Sequence, residues 1–229
     1  DWSSDVCSSD LPSTDQQFND LGAVMGEAKR RQKEIAALKS AQQEWLDALP
    51  NDERVIADTA LRLHQKLVVG KDFIGGCYHL AFFLRRFLLR EHGISVQPVV
   101  GYVNDGTCDI MISHAWLEYG GKKTDISLTR TEFAESQLTG GLLVLDRVIR
   151  KGVADYTYHL QQSPDAEASE LELIKSTDLP PFMRFQISQK RQEHGDMLRR
   201  AADDALIDEY LAAAPAALNY ESLARYART

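Results

Sequence analysis

The feature that most constrains this fold is a long apolar helix followed directly by segments typical of β-strands. Residues 77–91, CYHLAFFLRRFLLRE, are apolar around most of the helix circumference, as in helices buried in a domain core. Gly93 follows as a typical helix-ending residue. The segments 94–103 and 108–119 then show the β-branched, short-period pattern of strands, with the turn signal NDGT between them. We therefore predict an α+β fold in which a central helix packs on an antiparallel sheet.

The same patterns extend on both sides of this core. The pair Gly120-Gly121 predicts a tight hairpin that leads into KKTDISL. Further strands are expected at 142–150 and 155–160, and helices at 18–49, 52–67 and 182–228. His64 lies within the second of these helices, where we expect it at the surface or at the boundary of the core.

These elements predict a central domain with flanking helices. An N-terminal helix is expected over residues 25–51 and the central domain over residues 52–160. Residues 161–229 are expected to hold a linker and a C-terminal helical region, because QQSPDAEASE at 161–170 is polar and acidic.

The first eleven residues, DWSSDVCSSDL, lack the composition of a signal peptide and any structural periodicity. They can be encoded, codon by codon, by a common short-read sequencing adapter. We therefore interpret residues 1–24 as an artefactual extension, expected to be disordered, with the natural start at Met25. The extension holds five aspartates and no Lys or Arg, which accounts for most of the net charge of −8.

Composition excludes several classes of protein. The net charge of −8 and the pI near 5.3 argue against a general nucleic-acid binder. No apolar run is long enough to span a bilayer, so no membrane association is expected. The three cysteines, Cys7, Cys77 and Cys108, form no CxxC pair and predict neither a disulfide framework nor a zinc ribbon. These features favour a reducing, cytoplasmic setting without a metal or cofactor.

Cys77 is the strongest candidate for a reactive residue. It follows Gly75-Gly76 and opens the predicted central helix. The free N–H groups and the dipole at a helix N-terminus favour an anion there, which promotes the reactive thiolate. The Cys77 N–H can also donate to an oxyanion. Considered alone, Cys77 fits better as a small buried apolar residue.

His114 and Asp125 come together if Gly120-Gly121 is a two-residue turn. Trp116 then pairs with Asp125, and His114 pairs with Ser127, so that Asp125 lies diagonally from His114 on the same face. A carboxylate there can accept from one imidazole nitrogen and leave the other for a thiol. Alone, His114 fits a core histidine and Asp125 a hairpin-edge carboxylate; together with Cys77 they form a nucleophile, a base and its orienting acid.

Other polar residues of this region suggest weaker alternatives. A metal site built from Cys77, His79, Cys108 and His114 has no recognised ligand spacing. His79 is expected on the helix surface. Cys108 is expected to fill space in the strand, about 20 Å from His114 at the usual strand rise. The cluster of Tyr156, Tyr158 and His159 suits either a cleft wall or core packing.

The order GGCYH followed by SHAWLEYGGKKTDIS resembles the transglutaminase-like superfamily of papain-like fold. The resemblance covers roughly Gly75 to Leu128. It implies that Cys77 is the nucleophile, His114 the general base and acid, and Asp125 the residue that orients His114. It also implies supporting roles for Gly76, Tyr78, Trp116 and Glu118. Many members have Trp directly after the nucleophile, where this chain has Tyr78. The resemblance therefore does not specify which residues form the oxyanion site and the wall of the acyl site.

The resemblance implies thiol-dependent acyl chemistry on a peptide or protein amide, by hydrolysis, deamidation or transamidation to an amine acceptor. Two alternatives stay open. One is an acyltransferase that uses the same three residues with a thioester donor. The other is a binding module that keeps the fold without turnover.

Overall fold

The computed structural model of the protein describes the backbone of residues 14–131 and 137–228. It describes the side chains of these residues except 14–26 and 28. The chain divides into two compact units, residues 1–48 and 49–229. The first unit contains helix α1, Thr14–Ala48. This helix begins upstream of Met25, so part of the predicted disordered extension is helical, while the eleven residues that match the adapter lie outside the described residues.

The described residues of the second unit form six α-helices, α2 to α7. Ser163 caps one of them, α4, by accepting a hydrogen bond from the Ala166 N–H, with proline at the first helical position. The polar segment expected to be a linker is therefore largely helical. The bounds are α2 Asn51–Leu63, α3 Cys77–His92, α4 Pro164–Lys175, α5 Pro181–Ala201, α6 Asp204–Ala212 and α7 Tyr220–Arg228.

The described strands form two antiparallel sheets. The larger has the order β3-β2-β1-β6, and the smaller is the hairpin of β4 and β5. The turn of that hairpin has positive φ at Leu145 and Asp146, 52° and 62°, as its tight geometry requires. The bounds are β1 Gln97–Asn104, β2 Ile112–Tyr119, β3 Lys122–Thr124, β4 Leu142–Val144, β5 Arg147–Arg150 and β6 Thr157–His159. The predicted α+β class is confirmed.

The predicted second strand is shorter than expected, because Asn104 organises the preceding loop. The Asn104 side chain accepts from the Gly106 N–H and donates to the carbonyls of Cys108 and Ile110. Strand β2 therefore begins only at Ile112. The prediction that Cys108 fills space in the strand is wrong, since Cys108 is exposed in this loop.

Helix α3 forms the centre of the second unit, as predicted. Nine of its residues are buried, including Phe82, Phe83 and Phe87. Gly93 ends the helix with φ of 68°, a left-handed conformation that glycine adopts without a steric penalty. The helix packs against β1 and β2 of the sheet.

The C-terminal helices pack on the same core. Helix α5 contacts β1, α6 contacts α3, and α7 contacts α2. Two arginines on α3 pair with α6: Arg85 lies 3.2 Å from Asp204, and Arg86 lies 2.6 Å from Asp204 and 2.7 Å from Asp208. The C-terminal segment is thus built into the unit that carries the central helix.

His64 is buried, so its predicted surface position is wrong. Helix α2 continues as a π-helical segment over His64–Val69, and the His64 Nε2 meets the Thr129 hydroxyl at 2.9 Å. Burial, with the nearby charges of Arg150 and Arg130, lowers the pKa of His64 to about 4. His64 is therefore neutral in the folded protein at neutral pH.

Acid should destabilise the fold through His64. The unfolded histidine binds a proton below about pH 6.5, whereas folded His64 binds one only near its pKa of about 4. Its contribution is therefore complete above pH 6.5 and falls by about 3 kcal/mol as the pH drops through this window. We expect His64→Gln to flatten the pH dependence of urea unfolding between pH 6.5 and 4. The exposed His92→Gln is the matched control, and equal slopes for both variants would contradict the prediction.

Among the helices that the structure describes, none combines the length and the apolar character needed to cross a membrane.

Candidate functional site

The first turn of α3 presents Cys77 at the edge of the core. Gly75 has φ of 70°, a conformation that glycine adopts without a steric penalty, and a Cβ atom on Gly76 would lie 2.1 Å from the Phe73 ring. Glycine at both positions therefore permits the backbone path that leads into α3. No side chain caps the helix at Gly76, which leaves the first-turn N–H groups available to an anionic ligand. Cys77 is a free, partly exposed cysteine.

Strand β2 presents His114 from the opposite side. The β2–β3 hairpin has the predicted register, with Leu117 opposite Thr124. The chain then leaves the sheet, and Asp125 pairs through its backbone with Leu143. This places the Asp125 Oδ2 2.6 Å from the His114 Nε2, with both side chains buried, 1% and 5% exposed. The predicted contact of His114 with Asp125 is therefore present.

The Asp125 carboxylate is held by four hydrogen bonds. Its Oδ1 accepts from the Ser127 N–H at 2.9 Å and from the Ser127 hydroxyl at 2.8 Å. Its Oδ2 accepts from His114 and, at 3.0 Å, from the Tyr158 hydroxyl. Both oxygens are thus satisfied, so a buried carboxylate can stay ionised beside the imidazole.

These contacts set the charge of the pair. Burial alone would lower the pKa of His114, but Asp125 and Cys77 outweigh it and raise the pKa to about 10. Burial alone would raise the pKa of Asp125, but His114 and the hydrogen bonds from Ser127 lower it. The pair is therefore an imidazolium beside a carboxylate at neutral pH.

Cys77 completes the arrangement. Cys77 is among the groups that raise the pKa of the His114 imidazole, and it lines the same small cavity as Asp125. Because Asp125 contacts Nε2, Nδ1 is the ring nitrogen left to interact with a thiol. The three residues predicted from the sequence thus lie close together, a partly exposed thiol beside the buried pair of His114 and Asp125.

The supporting residues lie around this chain. The Trp116 Nε1 donates to the Glu118 Oε1 at 2.9 Å, and the Trp116 ring is buried. Tyr158 packs edge-on against that ring, with centroids 5.2 Å apart, while its hydroxyl reaches Asp125. The sequence suggested either a cleft wall or core packing for Tyr158. The structure shows that the Tyr158 hydroxyl contacts the Asp125 carboxylate directly.

Space beside the three residues is small. A cavity of about 10 Å³ is lined by Cys77, Asp125 and Ser127 together with apolar residues of α3 and β2. One water molecule needs roughly this volume. An amide substrate must therefore approach Cys77 from its exposed side.

The residues of the alternative metal site do not come together. The His79 Nε2 contacts the Leu218 carbonyl at 2.5 Å and is buried, so its expected surface position is wrong. Cys108 lies in the exposed loop before β2. Among the described residues, no three His, Cys, Asp or Glu side chains are grouped so that they could hold a metal ion.

Comparison with known proteins found no match to this chain among protein-family models, curated proteins or solved structures. Interpretation of the site therefore rests on its own geometry. A thiol at a helix start can act as a nucleophile when an imidazole oriented by a carboxylate lies beside it. The imidazolium can then move a proton to a leaving group.

Proposed function

We propose that this protein catalyses thiol-dependent acyl chemistry on a peptide or protein amide. Cys77 serves as the nucleophile, His114 as the acid and base, and Asp125 as the residue that orients His114. The observation that carries the proposal is the buried His114–Asp125 pair at 2.6 Å beside a partly exposed thiol at a helix N-terminus.

The first step forms a thioester. The Cys77 sulfur attacks the amide carbonyl carbon, and the negative charge moves to the carbonyl oxygen. The open N–H groups at the start of α3 are suited to stabilise that oxygen. The C–N bond then breaks, and the His114 imidazolium gives its proton to the departing amine.

The second step releases the acyl group. Neutral His114 takes a proton from water, or from a primary amine, as that molecule attacks the thioester carbonyl. The C–S bond breaks and the Cys77 thiolate is restored. Water gives hydrolysis or deamidation, and an amine gives transamidation. Asp125 keeps its negative charge throughout and holds the ring by Nε2.

The resemblance to transglutaminase-like proteins of papain-like fold supports this proposal. In that family's pattern a Cys lies at a helix start, a His on a strand and an Asp on the next strand. Here Cys77 begins α3, His114 lies on β2, and Asp125 directly follows β3. The α+β fold and the order Cys77, His114, Asp125 agree with that plan. Tyr78, where many members have Trp, is hydrogen-bonded to Ser113 at 2.5 Å.

Alkylation by iodoacetamide tests the proposal, with Cys108 as an exposed reference in the same sample. An ordinary thiol, with a pKa near ~8.5, slows about tenfold for each pH unit below it. If the proposal holds, the rate for Cys77 should fall less steeply with decreasing pH than the rate for Cys108, because an adjacent imidazolium favours the thiolate. Peptide mapping by mass spectrometry measures both rates.

Two variants complete that experiment. Cys77→Ala should remove the fast label, and His114→Gln should give Cys77 the pH profile of Cys108. Equal profiles for both cysteines in the unmodified protein would refute the thiol mechanism and favour a binding module.

A further inference from the structure

The start of α3 makes a second contact beside the candidate site, with β2. The Tyr78 hydroxyl is hydrogen-bonded to the Ser113 Oγ at 2.5 Å. The residue after Cys77 thus meets the residue before His114.

The described pairing of β3 with β2 runs over Leu117–Tyr119, so Ser113 and His114 lie beyond it. The hydrogen bond of Tyr78 therefore joins the start of α3 to β2 one residue before His114.

His194, on helix α5, anchors the second contact. Its Nδ1 is hydrogen-bonded to the Ser113 Oγ, and its ring stacks on Tyr102 with centroids 4.3 Å apart. His194 is buried, and burial lowers its pKa, opposed by the charge of Glu170. The Ser113 hydroxyl bridges the two groups, since a hydroxyl can donate one hydrogen bond and accept another; if His194 carries its proton on Nε2, Ser113 donates to Nδ1 and accepts from Tyr78.

We propose that His194 is a positioning residue for the candidate site, which acts through Ser113 and Tyr78 to fix the start of α3 against β2. The inference rests on the proposed function, and it assigns the C-terminal helix α5 a role in positioning the candidate site. Tyr78 is joined to Cys77, and Ser113 to His114, by a single peptide bond. Loss of the anchor therefore loosens the approach of the sulfur to the imidazole.

Three variants test this anchor by the rate of Cys77 alkylation at about pH 6. His194→Phe keeps a ring on Tyr102 but removes the acceptor, and Ser113→Ala removes the link. Each should lower the rate about threefold to tenfold. The double variant should be no slower than the slower single one, because both break one chain. His194→Asn carries an amide oxygen near the position of Nδ1 and should restore most of the rate.

The outcomes separate this inference from the proposed function. Melting temperatures of all variants are measured so that rates are compared only in folded protein. A fast wild-type Cys77 with an unchanged rate in His194→Phe would overturn the anchor alone. Multiplicative losses in the double variant, or no rescue by Asn, would also overturn it. If wild-type Cys77 reacts no faster than Cys108, both proposals fall together.

Discussion

Asp125→Ala should cost about 3–5 kcal/mol of the free energy of unfolding at about pH 5, because it leaves a buried imidazolium without its counter-charge. The carboxylate lies 2.6 Å from His114 and is 1% exposed, so solvent cannot replace it. The loss also removes the acceptor for Tyr158 and both Ser127 donors. Urea unfolding of the variant and the wild type measures the difference.

The pH dependence of that difference follows from the His114 pKa. His114 is protonated in the folded state up to a pKa of about 10, whereas the unfolded residue loses its proton near ~6.5. The stability from this pair is therefore complete below about pH 6.5 and declines as the pH rises toward 10. The cost of Asp125→Ala should shrink over the same range. A cost that does not change between pH 6 and 9 would contradict the assignment of charge to the pair.

Asp125→Asn separates stability from chemistry. The amide keeps the shape of the side chain and can accept from His114, but it carries no charge to stabilise the imidazolium. We expect a smaller loss of stability than for alanine, with a fall in thiol-dependent activity of about 10⁴-fold, as in a serine protease when the acid of its triad becomes an amide. The alkylation rate of Cys77 at low pH reports the same loss without a known substrate.

Trp116→Ala should cost about 3–5 kcal/mol, the usual cost of removing a buried aromatic ring. Trp116 is 2% exposed, and its ring packs so closely on β1 that a Cβ atom on Gly101 would lie 2.7 Å from it. The ring also supports Tyr158, whose hydroxyl reaches Asp125. We therefore expect a slower alkylation of Cys77 as well as a lower melting temperature.

Phe83→Ala is the matched control for this effect. Phe83 is fully buried on α3 and packs on Phe87 and Tyr220, outside the contacts of the candidate site. Its loss should destabilise the fold by a similar amount and leave the alkylation rate of the folded protein unchanged. Equal effects of the two variants on that rate would show that Trp116 acts only through overall stability.

Local patterns predicted the elements that carry the three candidate residues. The run of apolar residues from Cys77 and the glycine after it predicted α3, because helix burial and termination depend on nearby residues. Gly120-Gly121 predicted the register of β2 and β3, because a two-residue turn fixes which residues face each other. Such patterns failed at His64 and His79, whose burial depends on segments distant in the chain.

The residues that hold the site together were harder to predict. Tyr158 lies on a three-residue strand that joins the sheet beside β1, and its reach to Asp125 depends on that pairing. His194 lies on a helix with no recognisable motif, and only the packing of α5 on the sheet brings it to Ser113.

The sequence by itself determined which residues share a helix start, a strand face and a hairpin, since periodicity and turn length act over a few residues. It therefore placed His114 near Asp125 and Cys77 at the start of a helix. Only the tertiary structure decided that this helix start lies beside the pair of His114 and Asp125, that Asp125 leaves the sheet to pair with Leu143, and that Tyr158 and His194 are hydrogen-bonded to Asp125 and Ser113. Contacts of this kind depend on which distant surfaces bury each other, and local patterns do not specify that choice.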